Sequence, residues 1–309
     1  MQGTYGTQNQ TAQNGSGTKT LNSVPHGSSV SFTATADEGW EVEGWTVSSG
    51  SFATGGGSGA ANATATLTVD GPKTVTVKFK PGVFDLAGGP DAWKRLKKEV
   101  EKTEGAHTIT ISGEITATND PGNNGKISIR RELIIKSSGS SASLNANNLS
   151  GIFDVNNKLT LENITLKNGR EPGNRTGAGA YVNSALIMKG SSAITNCSAA
   201  EGGGVYVAGT FKMKDNARVN TNNDVYLESG KSITVTGSLS HHPAARITPN
   251  SYTNGRVLAT GAAEKANFKV TPQDGNKYWR FKKQGGEVKF VPAKTEPPVS
   301  GTRGAFLEE

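Results

Sequence analysis

A unit of 25 residues occurs twice in succession in the middle of this chain, where Gly179–Asn196 aligns without a gap on Gly204–Thr221. The aligned pairs are Tyr181 with Tyr206, Val182 with Val207, Leu186 with Phe211, Met188 with Met213, Lys189 with Lys214 and Ile194 with Val219. A fixed period of this size is typical of solenoids, whose units stack on one another to bury a shared core. The repeat therefore predicts a coil of similar rungs.

Short strand patterns separated by Gly, Asn and Ser turns extend well beyond the repeat. Large apolar residues alternate in them, as at Leu159 and Leu161 or at Ile233 and Val235, and such residues point into a narrow core. We predict an all-β fold whose main part is a parallel β-helix over 107–240. Residues 241–293 are expected to form the last rungs and a C-terminal cap, and 294–309 a disordered tail.

A short amphipathic helix is predicted in front of the coil, within a linker and capping region over 83–106. Pro90 and Asp91 suit a helix start, while Trp93, Leu96 and Val100 fall on one face. A helix in this place can cover the open end of the coil, where unpaired backbone groups would recruit another chain.

Residues 16–82 carry four segments that alternate apolar and polar residues, which predicts a small β domain. Its Gly39-Trp40 and Gly44-Trp45 pairs resemble the divergent internalin-type bacterial repeat. That resemblance implies a spacer or adhesive module on an exported bacterial protein. Residues 1–15 have no periodicity and are predicted to be a flexible tether.

Trp40 and Trp45 have two interpretations. Aromatic faces suit the apolar faces of sugars, so the pair could form a sugar-binding platform. The other interpretation, which we favour, is that both rings pack in the domain core.

The net charge and the cysteine count of the chain limit the kinds of partner and site that it can have. The chain has a net charge of +7, but Lys and Arg are spread along it among Asp and Glu, so we predict no specific nucleic-acid partner. Attraction to an acidic glycan or cell surface suits the same charge. The single cysteine, Cys197, excludes an intramolecular disulfide and is expected to be a packing residue.

No apolar run is long enough for a transmembrane helix, and the first residues do not form a signal peptide. The polar start favours a chain that follows a removed export or lipoprotein signal. We therefore expect a cell-surface, outer-membrane-associated or secreted protein, with a lipid anchor in a longer precursor as one mode of attachment.

The segments LTLENITLKNG and GGGVYVAGTFKMKDNARVNTN extend the resemblance. With Gly203-Gly204-Val205 as signature, the region from Trp93 to Val291 is similar to right-handed β-helix surface proteins of the polymorphic outer-membrane and adhesin-like type, including those of spirochaetes. These motifs specify the fold and leave the activity open, because β-helices host lyases, hydrolases and adhesins alike. Asparagines that recur at the strand ends are expected to stack along the coil: Asn163, Asn168, Asn196, Asn216 and Asn222.

Charged residues supply candidates for an enzymatic site but do not define one. They are Asp154, Glu162, Asp215, Asp224 and Glu228, with Lys189, Lys214 and Arg218 nearby. The spacing of these residues along the chain does not bring them into one cluster. His241-His242 lies in a turn, and because adjacent side chains point in opposite directions, the two histidines are not expected to bind one metal ion. We therefore predict no catalytic residue, metal site or cofactor.

The insertion Gly169–Gly177 decorates one edge of the predicted coil, and its Arg170, Glu171 and Arg175 are the first candidates for contact with a partner. The leading hypothesis is a non-enzymatic, monomeric surface protein that binds a host protein or glycan. A polysaccharide lyase or glycoside hydrolase on the same scaffold is the alternative, followed by an architectural stalk.

Overall fold

The computed structural model describes residues 2–5, 8–11, 20–271 and 279–292. The chain divides into two compact units, Met1–Phe84 and Asp85–Glu309. Nearly all of the regular structure is β, as predicted.

The first unit contains two small antiparallel sheets. Its strands are β1 (Gln2–Tyr5), β2 (Gln8–Thr11), β3 (Ser29–Thr33), β4 (Trp40–Val47), β5 (Thr64–Thr68) and β6 (Val75–Pro81). One sheet has the order β2-β1-β3-β5, and the other consists of β4 and β6. Trp45 lies in the core with Ala34, Val42 and Ala65.

Strands β1 and β2 correct the prediction for the first residues. A flexible tether was expected over 1–15, but β1 pairs with both β2 and β3. Gly3 lies opposite Phe32, whose ring would be only 3.1 Å from a Cβ atom at that position. The pairing therefore depends on backbone hydrogen bonds and a close approach at glycine, neither of which produces a hydrophobic pattern in the sequence.

The second unit has, among its described residues, one α-helix and the remaining strands, the first of which begins at Val83 and crosses the boundary between the units. In chain order they are β7 (Val83–Ala87), α1 (Ala92–Val100), β8 (Thr108–Thr116), β9 (Ile127–Ile129), β10 (Leu133–Asn145), β11 (Phe153–Val155), β12 (Lys158–Glu162), β13 (Ile164–Lys167), β14 (Ala180–Val182), β15 (Ala185–Lys189), β16 (Ala193–Thr195), β17 (Val205–Val207), β18 (Thr210–Asp215), β19 (Arg218–Val219), β20 (Val225–Leu227), β21 (Ile233–Leu239), β22 (Ala245–Pro249), β23 (Val257–Gly261), β24 (Phe268–Val270), β25 (Trp279–Gln284) and β26 (Glu287–Pro292). A 3₁₀ turn, Lys265–Asn267, precedes β24.

Parallel coils of these strands form a β-solenoid of about seven turns, which confirms the predicted fold class. One sheet of the solenoid has the order β24-β22-β20-β17-β14-β11-β9; the other, 13-stranded sheet contains β12, β15, β18, β21 and β23 as consecutive neighbours. The pairing of β14 with β17 places Tyr181 opposite Tyr206. The register of neighbouring rungs is thus the alignment of the 25-residue repeat.

The solenoid core consists of apolar columns that run from rung to rung. Residues at one register position, Leu133, Leu159, Leu186, Phe211 and Ile233, are all completely buried. Alternate residues of each strand point inward, so the intervening positions form rows on the outer face.

Helix α1 packs against the first strands of the solenoid, as expected of a cap. Trp93, Leu96 and Val100 are buried, and the Trp93 indole N–H donates to the Gly125 carbonyl at 3.0 Å. At the end of the helix, the Arg131 guanidinium donates to the carbonyls of Val100 at 2.8 Å and Lys102 at 2.7 Å. It also pairs with the buried carboxylate of Glu99 at 3.4 Å.

Asparagines satisfy the corners of the coil. Asn168 donates to the Asn145 side chain at 2.9 Å, and Asn222 donates to Asn196 at 2.7 Å, each across one rung. Asn163, with a positive φ of 55°, accepts from the Ser191 backbone N–H at 2.9 Å. These bonds supply partners for side-chain amides and turn N–H groups that β-strand pairing leaves free.

The C-terminal strands end the parallel stacking. Strand β26 pairs antiparallel with β23, and β25 pairs antiparallel with β26. Gly285 and Gly286 join β25 to β26 with positive φ angles of 57° and 77°, as a two-residue hairpin requires. The tail predicted over 294–309 lies outside the described residues.

Candidate functional site

Three tyrosines stack on the outer face of the seven-stranded sheet. Tyr181, Tyr206 and Tyr226 occupy one register position on β14, β17 and β20. Their flanking residues in each strand are buried, so the rings point outward. Successive ring centroids are 4.9 Å apart, with interplanar angles of 12° and 14°. We call this row the tyrosine ladder.

The middle ring of the ladder presents its edge and hydroxyl rather than an open face. Because the rings stack on one another, both faces of Tyr206 are occupied by its neighbours. Burial raises the pKa of all three phenols, and nearby carboxylates raise it further. The hydroxyls are therefore neutral at physiological pH and can donate hydrogen bonds.

Carboxylates flank the ladder. The Tyr206 hydroxyl donates to Glu228 at 2.9 Å, and Glu201 contributes to the raised pKa of Tyr226. Asp154 on β11 precedes Tyr181 in the same row. The row thus combines aromatic edges with hydrogen-bond acceptors.

Lys126 connects the ladder to the neighbouring insertion. Its Nζ lies 3.1 Å from Asp154, 3.3 Å from Glu171 and 5.8 Å from the ring centroid of Tyr181. One ammonium group therefore makes two ion pairs and a cation–π contact, which fixes the first turn of the insertion beside the first ring of the ladder.

Two of the three candidate contact residues in the insertion are exposed. Arg175 is exposed and lies 3.8 Å from Glu171, and Arg170 is exposed at a bridge to Ser198. The prediction that Glu171 contacts a partner is corrected, because this side chain is buried. It accepts a hydrogen bond from the Gly151 backbone N–H at 3.1 Å and pairs with Lys126. It holds the insertion in place and has little surface left for a partner.

The two tryptophans of the first unit differ from each other. Trp45 is completely buried, packs edge-on against Phe52 and donates its indole N–H to the Asn62 carbonyl at 2.8 Å. It belongs to the core, so the predicted alternative of a sugar platform is wrong for this residue. Trp40 is partly exposed at the start of β4, and its role as a ligand contact stays a prediction.

The charged residues considered for catalysis are divided between two sheets. Asp154 and Glu228 lie beside the tyrosine ladder, and Asp224 accepts from the Gly203 backbone N–H at 2.7 Å. Glu162 pairs with Lys189 on the other sheet, where Asp215 accepts from the Gly190 N–H at 3.1 Å. Lys214 and Arg218 also lie on that sheet, so the set does not form one cluster.

Cys197 is buried, and His241 and His242 each contact a polar side chain. Burial raises the pKa of the Cys197 thiol to about 11, which disfavours the reactive thiolate. His241 lies 3.4 Å from Arg218, and His242 contacts Asn267 at 3.2 Å. Among the described residues, no group of His, Cys, Asp and Glu could hold a metal ion.

The tyrosine ladder was not predicted as a site, although a signal for it is present in the sequence. In AYV, VYV and VYL the tyrosine lies between two small or apolar residues, and strand alternation directs it outward. Tyr206 follows Tyr181 by 25 residues, but Tyr226 follows Tyr206 by only 20, so an ungapped repeat does not include the third ring.

Comparisons with known proteins identify one part of the chain. Residues 5–83 match the Divergent InlB B-repeat domain, in agreement with the resemblance of its Gly-Trp pairs. No curated protein and no solved structure matched the chain. The matched domain and the β-solenoid together indicate a bacterial repeat protein of the surface or extracellular kind. Among the described residues, no helix has the length and apolar character that crossing a bilayer requires.

Proposed function

We propose that this protein is a non-enzymatic bacterial surface adhesin that binds a host protein through the tyrosine ladder and the exposed arginines beside it. The main support is the ladder itself. Tyrosine supplies rigid, amphipathic contact area at a low cost in conformational entropy, which is why it is enriched in binding surfaces. Stacking restricts the three rings further.

The geometry of the ladder favours a protein over a glycan as the partner. A sugar that stacks on an aromatic residue needs an open ring face, and the face of Tyr206 is covered on both sides. Ring edges, hydroxyls and mixed charges suit the backbone and side chains of a polypeptide. Arg170 and Arg175 add guanidinium groups, each of which can donate two parallel hydrogen bonds to one carboxylate.

The first unit acts as a spacer or accessory module in this proposal. Its match to the Divergent InlB B-repeat domain supports an extracellular setting. The sequence from Trp93 to Val291 resembles polymorphic outer-membrane and adhesin-like proteins, including those of spirochaetes, and an adhesin is what that resemblance implies.

Binding of the purified chain to immobilised matrix proteins and mucins tests the proposal. Replacing Tyr181, Tyr206 and Tyr226 together with serine should weaken binding by about 30-fold or more, the effect of losing a hot spot of roughly 2 kcal/mol. Serine at Thr46, Thr68 and Thr76, exposed strand residues of the first unit, provides the control. Equal binding by both variants, or no binding to any host protein, would contradict the proposal.

A polysaccharide hydrolase or lyase is the second candidate, and Asp154 and Glu228 are the carboxylates beside the ladder that it would use. Glycoside hydrolysis needs an acid and a base or nucleophile about 5–9.5 Å apart. Asp154 lies on β11 and Glu228 directly follows β20, and these strands are three rungs apart, about 14 Å, so the two side chains would have to extend towards each other. Release of reducing or unsaturated sugars by the native chain, lost in Asp154→Asn and Glu228→Gln, would replace the adhesin proposal. An architectural stalk would instead self-associate, which a solution mass measurement detects.

A further inference from the structure

The outer face of the other sheet carries a group of lysines. Lys136 follows Ile135 on β10, Lys189 ends β15, and Lys212 and Lys214 lie on either side of the buried Met213 on β18. Register places Lys136 and Lys189 on either side of Glu162. We call these four residues the lysine face.

Positive charge on the lysine face exceeds the available negative charge. Glu162, the acid in this row, pairs with Lys189 at 3.0 Å. Lys136, Lys212 and Lys214 have no ion-pair partner among the described residues. All four lysines are partly exposed, so their ammonium groups can reach solvent while their stems lie on the sheet.

Rung stacking sets the spacing of these charges. Neighbouring parallel strands are about 4.8 Å apart, and residues two positions apart on one strand are separated by about 6.6 Å. A polysaccharide with one anionic group on each sugar unit repeats its charge at a comparable interval. Ammonium groups carried by a flat, rigid sheet can therefore contact several groups of such a chain.

The rest of this face does not suit a nucleic acid. The other outward residues in the two rows that cross it are Thr108, Ile134, Thr160, Ile187, Thr234 and Thr260, with Thr110 beside Lys136. Single-stranded nucleic acids bind through aromatic side chains that stack on bases, and no aromatic residue is present at these positions. Charge without a stacking platform favours a saccharide polyanion.

We propose that the lysine face binds an acidic polysaccharide that carries carboxylate or sulfate groups. The site uses a different sheet and different residues from the tyrosine ladder, so it is independent of the adhesin proposal. It gives the solenoid a second, electrostatic binding surface that suits an acidic surface glycan.

Binding to heparin, polygalacturonate and uncharged dextran, measured with the full chain over a series of salt concentrations, tests this site. Heparin carries sulfate and carboxylate and polygalacturonate carries carboxylate alone, so the two distinguish the anionic group. The test variant is Lys212→Glu/Lys214→Glu. The control is Lys78→Glu/Lys269→Glu, an equal charge change at two exposed strand residues elsewhere.

The native chain and the control should bind an anionic polysaccharide and not dextran. Reversal of Lys212 and Lys214 should weaken binding by about tenfold or more and reduce the slope of log K against log salt by about 2, one unit for each lost contact. Circular dichroism of the variant establishes that the fold is kept.

Three results would overturn the proposal: no binding to either polyanion, equal weakening of test and control variants, or tighter binding to a single-stranded oligonucleotide or to anionic lipid vesicles than to both polysaccharides. The tyrosine variants should keep polysaccharide binding unchanged. Failure of this site and failure of the ladder are therefore distinguishable.

Discussion

Replacement of Arg131 by methionine should release helix α1 from the end of the solenoid. The guanidinium donates to four backbone carbonyls around the end of the helix, those of Glu99, Val100, Lys102 and Ala106, at 2.7–3.1 Å. It also pairs with the Glu99 carboxylate, whose side chain is only 2% exposed. Methionine keeps the apolar stem and removes all of these bonds.

The expected cost is about 3–5 kcal/mol, because the substitution removes one of the two cations that pair with a buried carboxylate and leaves four backbone carbonyls without their donor. Glu99 keeps the Ala106 backbone N–H at 3.1 Å and Lys102 as partners, so the lower end of this range is expected. Replacing Glu99 by glutamine in the same chain should recover part of the loss, because the buried charge is then gone. The two single variants and the double variant form a double-mutant cycle, which measures the interaction free energy between Arg131 and Glu99.

Hydrogen exchange of the amides in α1, followed by mass spectrometry, measures this loss locally and does not require the two units to unfold together. A change of about 3 kcal/mol corresponds to roughly 100-fold faster exchange in Ala92–Val100. Arg130, an exposed neighbour, provides the control as Arg130→Met. An acceleration of α1 no larger than in this control would refute the account of Arg131 as the main anchor of the helix.

Other consequences of the fold can be measured directly. Phe211→Ala should destabilise the solenoid by about 3–5 kcal/mol in urea titration, since the ring is fully buried, whereas a comparable shift in the exposed-site variant Thr210→Ala would contradict this. Hydrogen bonds from Lys167, Asn145 and Ser143 lower the pKa of Glu114 from 4.5 to about 2, so its stabilisation is complete above pH 4.5 and lost as the pH falls towards 2. Glu114→Gln should therefore cost up to about 1 kcal/mol at pH 7, a value limited by solvent exposure, and nothing well below pH 2; a pH-independent difference would be inconsistent with this origin. Cys197, buried and with a pKa of about 11, should react with a thiol reagent at pH 8 only on unfolding, and rapid labelling of the native chain would show that the rung opens.

The stacking of rungs could be predicted from the sequence because the repeat contains the core positions. Leu186 aligns with Phe211 in the sequence and pairs with it in the sheets, as does Met188 with Met213. A shift by one residue would turn both columns outward, so burial allows only this register. Large apolar residues at a fixed period therefore specify the coil.

The candidate site depends on distances along the chain that vary from rung to rung. Lys126, Asp154, Glu171 and Tyr181 meet in space, but they come from three successive coils and an insertion. No local pattern connects them, and their convergence follows only once the strand pairs are known. The sequence predicts that each tyrosine points outward, but it does not predict which side chains from other coils lie beside it.

Trp45 illustrates how a single irregularity changes a strand. Strict alternation from Val42 would bury residue 44 and expose residue 45, but a register shift between Val42 and Gly44 brings Trp45 into the core as well. The Cβ position of Gly44 is 2.7 Å from the Gly59 backbone nitrogen, so a larger residue does not fit at the bulge. The glycine before the tryptophan is thus a requirement of the bulge.

The agreement between sequence repeat and strand register also bears on how such a molecule can change in length. A duplicated segment of 25 residues that begins and ends at equivalent points of a rung would insert one more coil, extend the axis by about 4.8 Å and leave the neighbouring pairings intact. The same event would add a further ring to the tyrosine ladder if the copied unit were Gly179–Gly203. Unequal recombination would then lengthen the solenoid and add a tyrosine to the ladder in the same step, without any new type of side chain.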